Sequence, residues 1–142
     1  KDKICEASLF AEHPGTGLLL KARPDIYSPE LKVMGDVKSA QDASPRGFGK
    51  ALFRLGYHFQ AAHYLLCARL VGWEVKHWGF LAVEKEPPYP AHFHTLDEEV
   101  LEYATRIIEA TLEEIAEAKE TKQYSTRWGS YTVHSLPEYM AD

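Results

Sequence analysis

Two aspartates and one lysine, Asp25, Asp36 and Lys38, bring together the groups from which metal-assisted hydrolysis can be built. Asp36 and Lys38 are two residues apart, so on a β-strand they project from one side while Val37 points into the opposite layer. Asp25 lies eleven residues before Asp36. A hairpin centred between Glu30 and Leu31 would set Asp25 directly across from Asp36, with the carboxylates about 5 Å apart on one face. A register slip of one residue would separate them. Like charges in that position destabilise a sheet unless something neutralises them. A divalent cation does so, and Mg²⁺ or Mn²⁺ prefers such hard oxygen ligands. The chemistry this suits is phosphodiester hydrolysis, in which a bound metal stabilises charge on phosphate oxygens and deprotonates water. Lys38 can orient the attacking water or offset negative charge at the phosphate. Asp-x-Lys by itself also fits an exposed pair on a polar strand face, and it recurs by chance.

Positioning these groups requires strands. Residues 4–10, 18–26 and 32–39 read as three strands, and short connections at Pro14-Gly15 and Tyr27-Ser28-Pro29-Glu30 imply an antiparallel meander. Pro24 cannot donate to a ladder and marks an edge or a strand end. Ser44-Pro45 reads as an N-cap followed by proline at the first helical position. The helix it opens should run to about Leu70, with a break or kink at Gly56. A fourth strand is expected over Trp78–Glu86 and, after Pro87-Pro88, a fifth over Tyr89–His94. Thr95-Leu96-Asp97-Glu98 has the form of a capping box. It opens a long helix striped by Val100, Leu101, Ala104, Ile107, Ile108, Leu112 and Ile115, a face suited to core or subunit packing. Residues 123–142 carry aromatic and turn residues without a clear period. The pattern is an α/β domain with a mixed sheet.

Three segments, in order, resemble the motifs of PD-(D/E)XK nucleases: Ala22-Arg23-Pro24-Asp25, Gly35-Asp36-Val37-Lys38-Ser39 and Tyr57-His58-Phe59-Gln60-Ala61-Ala62-His63-Tyr64. Among these nucleases the chain is most similar to RecE-type exonucleases (exodeoxyribonuclease VIII) and their phage relatives, and Phe80–Pro88 resembles that subgroup's next strand. The likeness runs from about Cys5 into the long C-terminal helix. It implies a restriction-endonuclease-like core, a mixed central sheet with an antiparallel meander flanked by helices. It further implies Asp25, Asp36 and the backbone carbonyl of Val37 as metal ligands, and Lys38 as the catalytic lysine. Gln60 and Tyr64 correspond to the Gln-x-x-x-Tyr pair beside the active centre. Independently of the resemblance, their i, i+4 spacing puts both on one helix face, where plain helix packing is the alternative.

The function implied is a Mg²⁺-dependent deoxyribonuclease, with Mn²⁺ able to substitute, acting on double-stranded DNA ends. Its expected form is a 5′-to-3′ exonuclease that leaves 3′ single-stranded tails for recombination. A homo-oligomeric ring, a single-strand annealing partner and a cytoplasmic, bacterial or phage setting belong to the same expectation. Two other readings stand beside it: a Cas4-like or endonucleolytic enzyme, and a non-catalytic DNA-binding or assembly module. The four clustered cysteines frequent in the Cas4 group are absent. RecB-like nucleases carry a further metal-contacting His or Glu on a helix before the first strand, and no such helix is readable in this sequence. Glu6 is the nearest upstream acid. The start at Lys1-Asp2-Lys3 reads as a cut inside a longer polypeptide, so residues 1–142 are expected to form one core without its upstream helical part.

Composition sets the outer bounds. The chain has 142 residues, 45% hydrophobic and 26% charged, which suits one globular domain. No apolar run approaches the roughly 20 residues of a membrane span, and no signal peptide is readable. The formal charge of −5 is unevenly spread. Lys21–Arg54 holds seven basic residues against four acidic ones, whereas Asp97–Glu120 holds nine acidic against two basic. Cys5 and Cys67 are expected to be reduced and buried, and His58, His63, His92 and His94 lack the cysteine partners of a zinc site. Tyr57, Trp73 and Trp78 are expected in the core or an interface rather than stacked on bases. Gly15-Thr16-Gly17 lacks the Gly-Lys-Ser/Thr ending of a phosphate loop.

Overall fold

A computed structural model describes residues 3–124. The first two expected strands are each broken in the middle. Residues 4–10 divide into β1 (Ile4–Cys5) and β2 (Leu9–Glu12), because Glu6 takes a left-handed φ of 50°. The Glu6 N–H donates to the Asp25 carbonyl at 3.1 Å, one position beyond the Cys5–Ile26 pair. Residues 18–26 divide at Arg23-Pro24 into β3 (Leu19–Ala22) and β4 (Ile26–Ser28), where proline has no N–H to give. The single meander expected from the sequence is therefore two ribbons: β2 pairs with β3 as a separate two-stranded sheet, and β1 pairs with β4.

The third strand, β5 (Val33–Ala40), is antiparallel to β4. Its register, with Ile26 opposite Gly35, Tyr27 opposite Met34 and Ser28 opposite Val33, centres the hairpin between Glu30 and Leu31 as expected. Ser44 caps the next helix, its side chain accepting from the Gly47 N–H at 3.1 Å. The expected kink at Gly56 is a full break. Helix α1 (Pro45–Arg54) ends before it, and α2 (Tyr57–Leu70) starts after Gly56 has turned the chain with a φ of 72°, which glycine adopts without steric cost.

The helices return the chain to β6 (His77–Glu84), which lies parallel to β5 along eight residues. Strand β7 (Ala91–Thr95) completes the order β1-β4-β5-β6-β7. Strand β6 ends two residues before the end expected for the fourth strand: Lys85–Pro90 form the β6–β7 connection, closed by Glu84 N–H to the Pro90 carbonyl at 2.9 Å. Thr95 is not the cap of the long helix α3 (Glu98–Thr121), because β7 holds it opposite Gly79. Asp97 caps instead, accepting from the Val100 N–H at 2.9 Å.

Helices α1 and α2 lie over one face of the five-stranded sheet, where Met34, Trp78, Phe80 and Ala82 meet Phe48, Leu52, Ala61 and Leu66 in the core. The β2–β3 ribbon packs on α2 through Leu9, Leu20 and Ala22. Helix α3 packs along α2, burying Ala104 and Leu112, while Ile107 and Ile115 of its apolar stripe stay exposed. Trp78 is buried, and Trp73 stacks on Tyr27 with centroids 4.2 Å apart, so both belong to the body of the protein. Val37 does not enter a second layer: it is 52% exposed, because no described element covers that face of β5. Cys67 is buried as expected, and Cys5 is exposed. Among the described residues no helix is long and apolar enough to cross a membrane. The expectation for 123–142 falls, beyond residue 124, outside the described residues.

Candidate active site

Asp36 lies on the helix-covered face of β5, next to the close approach of two strands. Gly35 is paired with Gly79, and a Cβ on Gly35 would come within 2.6 Å of the Gly79 carbonyl oxygen. Only glycine fits immediately before Asp36. The β4–β5 ladder stops at Ile26–Gly35, one residue short of Asp25. There the Asp25 side chain takes over: its Oδ2 accepts from the Val37 N–H at 2.7 Å. Asp25 and Asp36 therefore flank the Asp36–Val37 peptide unit, and the direct ladder pair of Asp25 with Asp36 expected from the hairpin is not formed: Asp25 meets β5 through its side chain, at the Val37 N–H.

Asp36 is only 6% exposed, and a buried carboxylate needs compensating donors. Two are supplied to its Oδ2: the Lys38 ammonium, in a short ion pair, and the Gln60 side-chain amide of α2 at 3.2 Å. Lys38 is held in turn by rings. Its Nζ lies 4.7 Å from the centroid of Tyr57 and 5.9 Å from that of Phe80. Oδ1 of Asp25 and Oδ1 of Asp36 make no hydrogen bond among the described residues.

Asp25, Asp36, Lys38 and Gln60 thus come together, with the Val37 peptide between the two acids. Tyr64 does not join them. One helical turn beyond Gln60, its ring stands edge-on to Trp78 at 5.8 Å, and its hydroxyl makes no hydrogen bond among the described residues. Glu6 is exposed and pairs with Arg23 at 3.4 Å. None of the histidines joins this group: His63 bonds the Lys21 carbonyl, His58 packs between Phe53 and Phe59, and His92 and His94 lie together with ring centroids 4.7 Å apart. Tyr57 and Phe80 escaped sequence reasoning as partners of Lys38. The i, i+3 spacing of Tyr57 and Gln60 was a usable signal for the first. The second depends on the parallel pairing that sets Phe80 beside Asp36. Also unforeseen are the anchors of the loop after β5: the Ala43 N–H donates to Glu84 Oε1 at 2.9 Å, and its carbonyl meets His94 Nε2 at 3.0 Å. Burial keeps the His94 imidazole below its usual range, partly countered by the Ala43 bond and reinforced by neighbouring His92.

The donor set suits a hard divalent ion. Two carboxylates with their Oδ1 atoms open, plus the Val37 carbonyl, would leave the remaining positions to water or a substrate phosphate, as Mg²⁺ prefers. No group of three or more metal-ligating side chains gathers among the described residues.

A hairpin with one acid just before its first strand and the second acid and the lysine on its central strand, followed by a helical crossover to a parallel strand, defines the PD-(D/E)XK, restriction-endonuclease-like class of domain. Residues 5–134 match DUF3799, a PDDEXK-like domain of unknown function, and the chain belongs to that family. Among solved structures it is similar to a candidate exonuclease from Eubacterium rectale, with a TM-score of 0.72 and 17% identity over 94% of this chain and 54% of that one. A second likeness, to SSO0001, has a TM-score of 0.50 and 16% identity over 89% of this chain and 53% of that one. The chain thus spans about half the length of either structure, and at these identities the likeness is one of fold. A search of curated protein sequences finds no match.

Proposed function

We propose that this chain carries the catalytic core of a divalent-metal-dependent deoxyribonuclease. The observation that supports it best is the buried Asp36 carboxylate shared by Lys38 and Gln60, with Asp25 across the Val37 peptide. Asp25 and Asp36, with the Val37 carbonyl, would hold Mg²⁺, and Mn²⁺ would serve in its place. When bound, the ion supplies charge stabilisation at the phosphate and lowers the pKa of water. Gln60 fixes the Asp36 carboxylate through Oδ2, leaving Oδ1 without a hydrogen bond among the described residues. Lys38, anchored by Asp36 and the two rings, stands where its ammonium can orient the attacking water or offset charge on the phosphate. Tyr64 acts through packing on Trp78, not by touching the reacting atoms.

In its finer form the reading is a 5′-to-3′ exonuclease on duplex ends, working as a homo-oligomer beside a single-strand annealing protein. Support for that form is the motif resemblance to RecE-type enzymes. Linear duplex labelled on either 5′ or 3′ ends tests it, with covalently closed circles as comparison. The expected result is stepwise loss of 5′ label on linear DNA, abolished by EDTA, with circles left intact. Loss from 3′ ends would overturn the polarity, and cutting of circles would point to an endonuclease. Metal-dependent DNA retention without hydrolysis would mark a binding module.

A further inference from the structure

We propose that the groove beside Lys38 carries the sugar–phosphate backbone of the substrate strand, and that Lys50 and Arg54 are its phosphate contacts. The identity of the ligand rests on the nuclease reading. The groove, about 410 Å³, is bounded by Ser39 and Gln41 at the end of β5, by Lys50, Arg54 and Leu55 of the α1 side, and by Tyr57. It adjoins the candidate centre at Ser39 and Tyr57. Ser39 follows Lys38 in the chain, and Tyr57 is the ring against which the Lys38 ammonium rests. A strand with its reacting phosphate at Asp36 and Lys38 passes over Tyr57 into this groove.

Charge argues the same way. Lys50 and Arg54 are spaced i, i+4, share one side of α1, and are both exposed. Neither makes a hydrogen bond or ion pair among the described residues. Like charges at that spacing destabilise a helix, and α1 contains Arg46 as well but no acid. An anion in the groove relieves that repulsion. The one acid in the lining is Asp42, at the far end of the groove. It is turned onto the first turn of α1, where a Cβ on Gly47 would lie 2.1 Å from its carboxylate. Hydrogen bonds from the Ser44 side chain and backbone hold its carboxyl below the usual range, so it stays charged and tied to the helix start. From Gly47 to Arg54 the helix rises about 10 Å, which separates this acid from the cationic end.

The test measures binding apart from hydrolysis. Anisotropy of a labelled linear duplex in EDTA, across a salt series, compares wild type with Lys50→Gln/Arg54→Gln, Lys50→Arg and, as control, Arg106→Gln on α3. The double variant is expected to lose about 1.8 from the slope of log K against log salt, about 0.9 per phosphate contact. In Mg²⁺ its KM should rise tenfold or more while kcat at saturating DNA changes less than twofold. Lys50→Arg and the α3 control should match wild type. A double variant with wild-type slope and KM in an active enzyme would overturn the groove and leave the nuclease reading standing. A slope that collapses in the double variant of a protein that never hydrolyses DNA would do the reverse.

Discussion

The two sides of β5 reverse the usual order of a half-buried strand. Asp36, on the helix-covered side, is 6% exposed, while its neighbour Val37, on the other side, is 52% exposed. The reversal continues across the sheet: Val37, Leu81 and Phe93 are register partners and form an exposed apolar row. On the covered side, a carboxylate, an ammonium and an amide lie among Met34, Tyr57 and Phe80. The strand thus places its polar groups where water is scarce, which strengthens their electrostatic interactions and fixes their geometry, as a reacting centre requires. Core burial and site construction use the same face, and the opposite face contributes little to either.

Substitutions can break this contrast. Phe80→Ala should cost about 3–5 kcal/mol, as for large-to-small changes in a packed core. Phe93→Ala, on the open side, should cost no more than about 1 kcal/mol, since Phe93 is 51% exposed. Urea denaturation of the pair checks this, and equal losses would show that something covers the open face.

For catalysis, Lys38→Ala should slow hydrolysis by several hundred-fold or more, about 3–4 kcal/mol of transition-state stabilisation. Val37→Thr should stay within about twofold, because only the backbone of Val37 serves the site. Tyr57→Leu is expected to lower kcat about tenfold, the worth of a partly desolvated cation–π contact, with Tyr57→Phe near wild type. Single-turnover rates separate these variants.

The cysteines sharpen the same contrast chemically. Burial pushes the Cys67 thiol up to about 11, whereas Cys5 is exposed. At pH 8 roughly a thousandth of Cys67 is thiolate, so iodoacetamide should label Cys5 and spare Cys67 in the native protein.

The smallest effect concerns His94, whose pKa burial lowers in the folded state. A base with a lowered folded pKa contributes stability above its unfolded value near 6.5 and loses it as pH falls through the lower folded value. The melting temperature should therefore decline on acidification below about pH 6.5, less steeply in His94→Gln.

Much of the site was legible because it is local. Turn residues between Asp25 and Asp36 pinned the hairpin register, and Ser44-Pro45 marked the start of α1. Pro24 signalled one strand break, but the left-handed turn at Glu6 that accompanies it has no signature in the residue type. The parallel β5–β6 pairing joins residues more than forty positions apart, so the rings around Lys38, the Glu84 and His94 anchors on Ala43 and the exposure of Val37 were beyond a linear reading. The capping box read at Thr95 fails because strand pairing with Gly79 holds that residue in β7, a contact distant in sequence, and Asp97 caps instead.

The most direct test of the central claim is Mn²⁺ binding followed by electron paramagnetic resonance in the wild type, Asp25→Ala, Asp36→Ala and Lys38→Ala. Binding should be saturable in the wild type, survive removal of the lysine amine, and be lost when either carboxylate is removed. Mn²⁺ held equally well by a folded Asp36→Ala protein would contradict it.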